Sequence, residues 1–208
     1  TMRPSVDHVF YKTFNRENVE LVDIKKNPIV RIMPNGISTT GRNYPLDMII
    51  YATGFDVFTG SILAPQIRGR NGITLREKWS QGPANYLGLS THDFPNLFIM
   101  VGPGSPSLLS NVLVSTEDHA DFICDLLSHM RAEILIEVDA RAEASAEWGE
   151  HVNQRSRETL YPQARSYAMG DEVPGQPHVF MPYSGGVRGY RSILHKVAAD
   201  GYEGFDYS

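Results

Sequence analysis

An uninterrupted apolar run, M-I-I-Y-A, occupies residues 48–52 and ends at Thr53 and Gly54. A strand that is covered on both faces shows no alternation of polar residues, because neither face meets water. The run therefore predicts a buried strand of an α/β sheet. Since glycine has no Cβ, the backbone at the end of such a strand can approach a ligand closely, and Thr53 and Gly54 are the first candidate cofactor contacts.

The residues before this run alternate more loosely between apolar and polar. Two β-rich stretches, residues 28–33 and 37–40, flank the pair Asn35-Gly36. Both residues of an Asn-Gly pair tolerate the positive φ that a tight hairpin turn requires. The pattern predicts a small antiparallel β meander that leads into the strand at residue 48.

Further along, the chain becomes rich in glycine and proline, and a second apolar run at 94–101 leads into G-P-G-S-P-S at 102–107. The run predicts a second buried strand. Apolar residues at helical spacing over 123–130 predict a helix, with Ser115 as its cap. Strand, glycine turn and helix together place backbone N–H groups at a polar ligand. The match to a dinucleotide-binding fingerprint is only partial, because Ser107 stands where the third glycine belongs.

The last third of the chain predicts one short strand and two helices. The strand spans residues 133–138, a polar helix spans 139–160, and a final helix spans about 190–199. Trp148 and Leu160 lie at positions of the polar helix that can face a core.

Composition and charge narrow the choice of partners. The formal net charge is -5, and a protein that binds nucleic acid or an anionic membrane over a wide surface needs a basic face. No apolar run approaches the ~20 residues that span a bilayer, and the first residues lack the apolar stretch of a signal peptide. The single cysteine, Cys124, excludes an internal disulfide and is expected to be a small core residue. We expect the protein in the cytoplasm.

Motifs of metalloenzymes and hydrolases are missing from the sequence. The seven histidines are scattered, with no H-E-x-x-H pattern and no cysteine partner, so no metal site is predicted. Ser107 and Ser110 lie near glycines, but no G-x-S-x-G surrounds them, which argues against a serine hydrolase.

Eleven short strings, in order along the chain, resemble one family. The string at 47–56, D-M-I-I-Y-A-T-G-F-D, resembles the stretch that leads from the NADP domain back into the FAD domain of flavin-dependent monooxygenases. The strings lie at residues 3–4, 11–19, 47–56, 67–69, 86–88, 94–98, 102–107, 150–153, 159–162, 173–175 and 201–205. Together they resemble the C-terminal part of a Baeyer–Villiger monooxygenase, a class B flavoprotein, of the phenylacetone and steroid type.

The resemblance implies a fold and a division of the chain. The fold class is α/β, the C-terminal part of a flavoprotein with two Rossmann-like dinucleotide-binding domains, one for FAD and one for NADP. Residues 1–54 would be the C-terminal part of the NADP-binding domain, and residues 55–208 the C-terminal part of the FAD-binding domain.

The resemblance also implies a reaction. In this family, FAD that has been reduced by NADPH reacts with molecular oxygen to a C4a-peroxide, which inserts oxygen next to a ketone carbonyl. Arg3 matches the family's catalytic arginine by its place before the string at 11–19. Its fixed positive charge would hold the negative peroxide in a water-poor site. Without the resemblance, an arginine so near a terminus would be expected to be solvated.

The same resemblance implies two further groups of site residues. Cofactor contacts are expected at Thr53, Gly54, Gly102, Pro103, Val112 and Tyr167. The substrate cavity is expected to be lined by Ser107, Leu108, Leu109 and Tyr161. The pair of leucines suits an apolar ketone, and the two tyrosines would belong to a loop that closes over nicotinamide and substrate.

Three departures from the family pattern bear on function. Met2 stands where a lysine often contacts the 2′-phosphate of NADP, which leaves the choice between NADPH and NADH open. Tyr167 stands where tryptophan is usual, so the ring is kept and the indole donor is lost. The G-x-G-x-x-G turn for FAD, the F-x-G-x-x-x-H-x-x-x-W fingerprint and the second Rossmann motif are absent from the 208 residues. FAD and NADPH are therefore expected to bind only with the complementary N-terminal half, and the segment alone is expected to be inactive.

Two alternatives stay open. The segment could be a free-standing, non-catalytic interaction module from a truncated or split flavoprotein gene, and its exposed core surface would then favour homo-oligomers or a partner chain. It could also belong to a related N-hydroxylating or sulfur-oxidising flavin monooxygenase. Arg3 and the leucine pair favour a ketone, with molecular oxygen as the second substrate.

Overall fold

A computed structural model describes residues 9–108, 110–171 and 175–208. These residues separate into two compact units, and the division falls between Gly54 and Phe55. We call residues 9–54 the meander unit and residues 55–208 the helical unit. Within the described ranges, no helix combines the length and the hydropathy needed to cross a bilayer.

The meander unit contains a one-turn helix and a three-stranded antiparallel sheet. Its elements are α1 (Phe10–Thr13), β1 (Ile29–Met33), β2 (Gly36–Thr39) and β3 (Asn43–Pro45), with the strand order β1-β2-β3. Gly36 has φ +147°, and a Cβ there would lie 1.9 Å from the carbonyl oxygen of Tyr44 in β3. The sheet therefore needs glycine at this position. The predicted hairpin and meander are confirmed.

The predicted buried strand at 48–52 is wrong. No strand forms there, and Met48, Ile50 and Tyr51 are 75%, 81% and 69% exposed. A buried strand needs a hydrogen-bonded neighbour at its edges and cover on both faces, because unpaired backbone groups are costly away from water. The described residues supply neither to this run.

The helical unit combines helices with a two-stranded antiparallel sheet. Its elements are α2 (Gly60–Leu63), α3 (Leu75–Lys78), α4 (Val112–Ala132), β4 (Val138–Ala140), α5 (Ala142–Arg157), α6 (Val187–Ala199) and β5 (Phe205–Tyr207). The main core lies between α4, α5 and α6, and its fully buried side chains include Leu87, Leu126 and Tyr190. A smaller core forms around α3. The mixture of helices with small antiparallel sheets agrees with the expected α/β class.

The second predicted strand, at 94–101, is also wrong. The segment forms turns, and Asn96 and Val101 have φ of +58° and +51°, which no strand accommodates. Phe94 and Ile99 are nevertheless 3% and 8% exposed and pack in the smaller core. The apolar pattern indicated burial correctly, but the chain achieves that burial with turns.

The predicted helices are present, with shifted ends. The helix α4 begins at Val112 and is capped by Asn111, whose Oδ1 accepts from the N–H of Leu113 at 3.1 Å, so the expectation of a cap at Ser115 is wrong. On α5, Trp148 is buried as expected.

Three smaller expectations are corrected. Leu160, predicted to face the core, is 70% exposed, because α5 ends before it. Cys124 lies on an exposed face of α4, which corrects its expected place in the core. The strand predicted at 133–138 is displaced to β4, which pairs with β5.

Candidate functional site

The loop at residues 102–107 is held by segments that lie far from it in sequence. The side-chain amide of Asn85 donates to the carbonyl of Pro103 at 2.7 Å. From the other direction, the N–H of Gly104 donates to the carbonyl of Met181 at 2.6 Å, and the N–H of Tyr183 donates to the carbonyl of Ser105 at 2.9 Å. Gly102 and Pro103 are buried. The loop is therefore a fixed surface.

A close backbone approach completes this clamp. Gly88 has φ +69°, and a Cβ there would lie 2.7 Å from Cβ of Ser105 and 2.8 Å from its N. The N–H of Gly88 donates to Oδ1 of Asn85 at 3.0 Å, so the amide of Asn85 joins the two segments. Only glycine allows this contact without displacing the loop.

The chain that leaves the loop carries several predicted site residues. Ser107 has a buried hydroxyl with no hydrogen-bond partner among the described residues, and Leu108 packs against the main core. Val112 and Leu113 open α4 and are 47% and 72% exposed. Exposed apolar side chains therefore follow the loop closely in sequence, and such side chains suit the apolar part of a ligand.

A buried histidine connects the start of the loop to two helices. The N–H of Val101 donates to Nδ1 of His119 at 3.0 Å, so Nδ1 is the acceptor nitrogen. The hydroxyl of Tyr190 donates to the carbonyl of Leu87 at 2.5 Å, and Nε2–H of His119 donates to that hydroxyl at 2.7 Å. Burial lowers the pKa of His119 to about 4, so the imidazole is neutral.

Sequence reasoning missed His119, although a signal was present. The buried residues of α4 are Ser115, His119, Phe122, Leu126 and Met130. This spacing is the helical repeat of one face, so His119 lies in the apolar stripe. A buried imidazole needs a partner for each nitrogen, but its partners are 18 and 71 residues away along the chain.

The two predicted loop tyrosines lie near the same clamp. Tyr161 packs on Phe180, with ring centroids 5.3 Å apart, and Tyr167 stacks on Phe58 at 6.4 Å. The N–H of Met181 donates to the carbonyl of Ala168 at 2.8 Å, directly after Tyr167. Segment 180–183 therefore brings both tyrosines and the 102–107 loop together.

The other predicted site residues are not placed with this group. Thr53 and Gly54 are exposed at the end of the meander unit, and Gly54 has φ +95°. Arg3, Leu109 and the departing residue Met2 lie outside the described residues. Among the residues that are described, no group of three or more histidine, cysteine, aspartate or glutamate side chains could hold a metal ion.

Each unit also has a cleft that the sequence did not predict. In the meander unit a cleft of about 650 Å³ is lined by Val22, Ile37, Arg42 and Tyr44, among others. The guanidinium of Arg42 lies 4.4 Å from the ring centre of Tyr44. In the helical unit a cleft of about 490 Å³ lies beside Trp148. Of the predicted site residues that the structure describes, none lines either cleft.

Comparison with known proteins shows what the chain is similar to. Over 205 residues, 98% of the chain, it is 35% identical to cyclohexanone 1,2-monooxygenase of Acinetobacter sp. It is 44% identical to a solved structure of oxidised steroid monooxygenase bound to NADP, with a TM-score of 0.82 over 97% of the chain. The chain matches the C-terminal part of the Baeyer–Villiger monooxygenases. The resemblance of the eleven strings and the expected fold are thereby confirmed.

The Baeyer–Villiger match covers only part of each relative. The chain spans 37% of the length of the Acinetobacter enzyme and 37% of the steroid monooxygenase chain. Over 204 residues it is also 36% identical to the phenazine N-monooxygenase PhzNO1 of Lysobacter antibioticus, again over 37% of that protein. No protein-family model matches the chain.

Proposed function

We propose that this chain forms the C-terminal part of an FAD- and NADPH-dependent Baeyer–Villiger monooxygenase that inserts an oxygen atom next to a ketone carbonyl. The observation that carries the proposal is the match over 98% of the chain to cyclohexanone 1,2-monooxygenase. The clamped 102–107 loop, which keeps a family string rigid and next to α4, supports it.

The flavin ring suits the residues that follow the loop. An isoalloxazine has an apolar face, and Val112, which is 47% exposed at the start of α4, offers it an apolar contact. Val112 would pack on the ring, and Gly102 and Pro103 would form the surface behind it. When bound, FAD would supply the activation of oxygen, while this chain would position and enclose it.

The substrate would lie beside Ser107 and Leu108, with Leu109 assigned from the sequence. Tyr161 and Tyr167 would cover nicotinamide and substrate, since both pack beside the segment that holds the loop. Arg3 would supply the positive charge that the reaction needs. Enclosure by leucine and tyrosine side chains would exclude water from the reacting atoms.

The two units would belong to different domains of the complete enzyme. We assign residues 1–54 to the NADP-binding domain, with Thr53 and Gly54 at the junction, and residues 55–208 to the FAD-binding domain. The division between Gly54 and Phe55 supports this assignment. A cytoplasmic location stays a prediction of the sequence.

The complementary N-terminal part would cover the exposed apolar residues of the meander unit. Met48, Ile50 and Tyr51 expose 69–81% of their area, and such a run is unusual on a free surface. The chain spans only 37% of the length of the Acinetobacter enzyme, and the remainder of such a protein would be large enough to cover these residues. Homo-oligomers of a non-catalytic module would cover the same residues. Gel filtration of the chain with and without the complementary half therefore distinguishes such a module from a part of the larger enzyme.

The test compares the 208-residue chain with the complete monooxygenase. The complete protein should carry flavin and convert ketones to esters or lactones with NADPH, and a parallel assay with NADH resolves the effect of Met2. The chain alone should show no flavin absorbance and no turnover. A complete protein that carries flavin and oxidises NADPH, yet leaves every ketone of a cyclic and aromatic panel unchanged, would refute the proposed reaction.

N-oxidation is the second candidate, because the identity to a phenazine N-monooxygenase is 36% over 98% of the chain. A phenazine added to the same panel decides between the two. An N-oxide as the main product would favour this candidate over ketone oxidation.

A further inference from the structure

We propose that His119 is a positioning residue, which holds Val101 in a left-handed backbone conformation and thereby fixes the start of the 102–107 loop. Its consequence for flavin binding rests on the proposed function. The geometry of the hydrogen bonds does not depend on that proposal.

Val101 is an unusual residue for its backbone conformation. Its φ is +51°, and a β-branched side chain makes the left-handed region costly, because the branched Cβ crowds the backbone. Such strain persists only where the surroundings determine it, and it is often found at functional sites. Gly102 follows directly, so the conformation of Val101 sets the direction in which the loop leaves.

His119 supplies the contact that holds this conformation. Its Nδ1 accepts from the N–H of Val101 at 3.0 Å, and its ring is 0% exposed. Its Nε2 is fixed in turn by Tyr190, which donates to the carbonyl of Leu87. Leu87 is also left-handed, with φ +58°. A single relay therefore joins two strained residues to α4 and α6.

The same relay reaches the loop a second time. Gly88 follows Leu87 and packs against Ser105, so the end of the relay adjoins the middle of the loop. The imidazole thus reaches the entry of the loop directly and its centre through Tyr190 and Leu87, in addition to the hydrogen bonds from Asn85, Met181 and Tyr183. A histidine with only a packing role would not need its nitrogens in one particular tautomer.

Burial keeps His119 neutral, and the carboxylate that opposes this effect, Asp118, is itself paired. Asp118 precedes it on α4, and Arg191 of α6 binds that carboxylate at 2.8 Å, which offsets its attraction for a proton. Tyr190 and Val101 are the groups that face the ring nitrogens. A protonated ring would turn Nδ1–H against the N–H of Val101, so protonation would break the hold on the loop.

The experiment replaces His119 by each of the two amide residues, because each amide can reproduce the hydrogen bond of one of the two imidazole nitrogens. In His119→Asn the Oδ1 atom can take the place of Nδ1 and accept from Val101. In His119→Gln the amide can reach Tyr190 and leaves Val101 without its acceptor. Amide hydrogen exchange at Val101 should stay within about threefold of wild type in His119→Asn and rise about tenfold or more in His119→Gln.

The complete monooxygenase provides the second readout. His119→Gln should weaken flavin binding about tenfold or more relative to His119→Asn. Equal exchange rates at Val101 in the two variants, or equal loss of flavin, would overturn the positioning role. If the wild-type complete protein bound no flavin, the proposed function would fail, and the exchange at Val101 would still decide the role of His119.

A measurement on the wild-type chain covers the case in which a variant fails to fold. Long-range ¹H–¹⁵N NMR spectra distinguish a protonated ring nitrogen from an acceptor nitrogen. Nδ1 of His119 should appear as the acceptor and Nε2 as the protonated nitrogen at neutral pH. The opposite tautomer would overturn the proposal.

Discussion

Asp118 of α4 and Arg191 of α6 form a two-point ion pair, with Nε to Oδ1 at 2.8 Å and Nη2 to Oδ2 at 3.2 Å. The arginine is 45% exposed, so the pair should contribute only about 0.2–1 kcal/mol to the free energy of unfolding. A double-mutant cycle with Asp118→Asn and Arg191→Gln measures that coupling in denaturant. Coupling well above this range would mean that water does not screen the pair.

Tyr190→Phe should cost far more than its size suggests. It leaves Nε2–H of His119 and the carbonyl of Leu87 without their shared partner in the core. Unsatisfied buried groups cost about 1–3 kcal/mol each, so we expect a loss of at least ~2 kcal/mol in the free energy of unfolding.

Tyr207→Phe is the matched control for the loss of a tyrosine hydroxyl. The hydroxyl of Tyr207 is buried and has no hydrogen-bond partner among the described residues. Its removal should change stability by less than about 0.5 kcal/mol or improve it. Equal losses from the two variants would argue against the relay through Tyr190.

Stability should depend on pH through His119. Its native pKa is about 4, against an ordinary value of 6.5, so the unfolded chain binds this proton first as the pH falls. This group costs no stability above pH 6.5, but the free energy of unfolding falls as the pH drops from about 6.5 to 4, and the loss reaches roughly 3 kcal/mol at pH 4.

Urea titrations of wild type and His119→Asn at several pH values test this dependence. Asparagine does not titrate, so the difference between the two free energies of unfolding should change by that amount from pH 7 to pH 4. The carboxylates titrate in both proteins and cancel in the difference. Two parallel pH curves would show that His119 is not buried in the neutral form.

Two glycines should respond to alanine with opposite sign. Gly88→Ala places a Cβ 2.7 Å from that of Ser105 at φ +69°, and we expect a loss of about 2 kcal/mol or more. Gly189→Ala in α6 meets no atom within 4 Å and has helical φ, so it should stabilise by about 0.5–1 kcal/mol. Thermal unfolding of both variants decides, and a destabilised Gly189→Ala would contradict the helix at this position.

Arg3 can be tested only through its chemistry, since it lies outside the described residues. In the complete monooxygenase, Arg3→Ala should reduce ester formation about 10²–10³-fold while NADPH is still consumed, because the charge would act on the oxygen-transfer step. Arg31→Ala removes an exposed arginine of β1 and should leave both rates unchanged. Loss of NADPH consumption in Arg3→Ala would assign the residue to cofactor binding instead.

Local patterns predicted the parts of this fold that local interactions determine. Asn35-Gly36 predicted the hairpin, and helical spacing predicted α4 even though Asn111 caps it in place of Ser115. The strands predicted at 48–52 and 94–101 are wrong, because an apolar run indicates that its side chains are buried but does not show which segments bury them or in which backbone conformation. The first is exposed among the described residues, and the second is buried as turns.

For the candidate site, the sequence likewise predicted some of the residues but not the contacts that hold them together. The family resemblance predicted the 102–107 loop and the two tyrosines, Tyr161 and Tyr167, but not the segment 180–183 that lies beside them. His119 was missed because its partners, Val101 and Tyr190, come from other parts of the chain. Hydrogen bonds between residues that lie far apart along the chain leave no periodic pattern in the sequence, so they could not be predicted from it.

The anchors of the 102–107 loop have a consequence for the order of assembly. Asn85 is made before the loop, but Met181 and Tyr183 are made almost eighty residues after it. A chain that is still being translated therefore cannot give the loop its final shape until Tyr183 has left the ribosome. This part of the protein matures late, and chains that stop short of that residue would expose an unfinished turn to proteases.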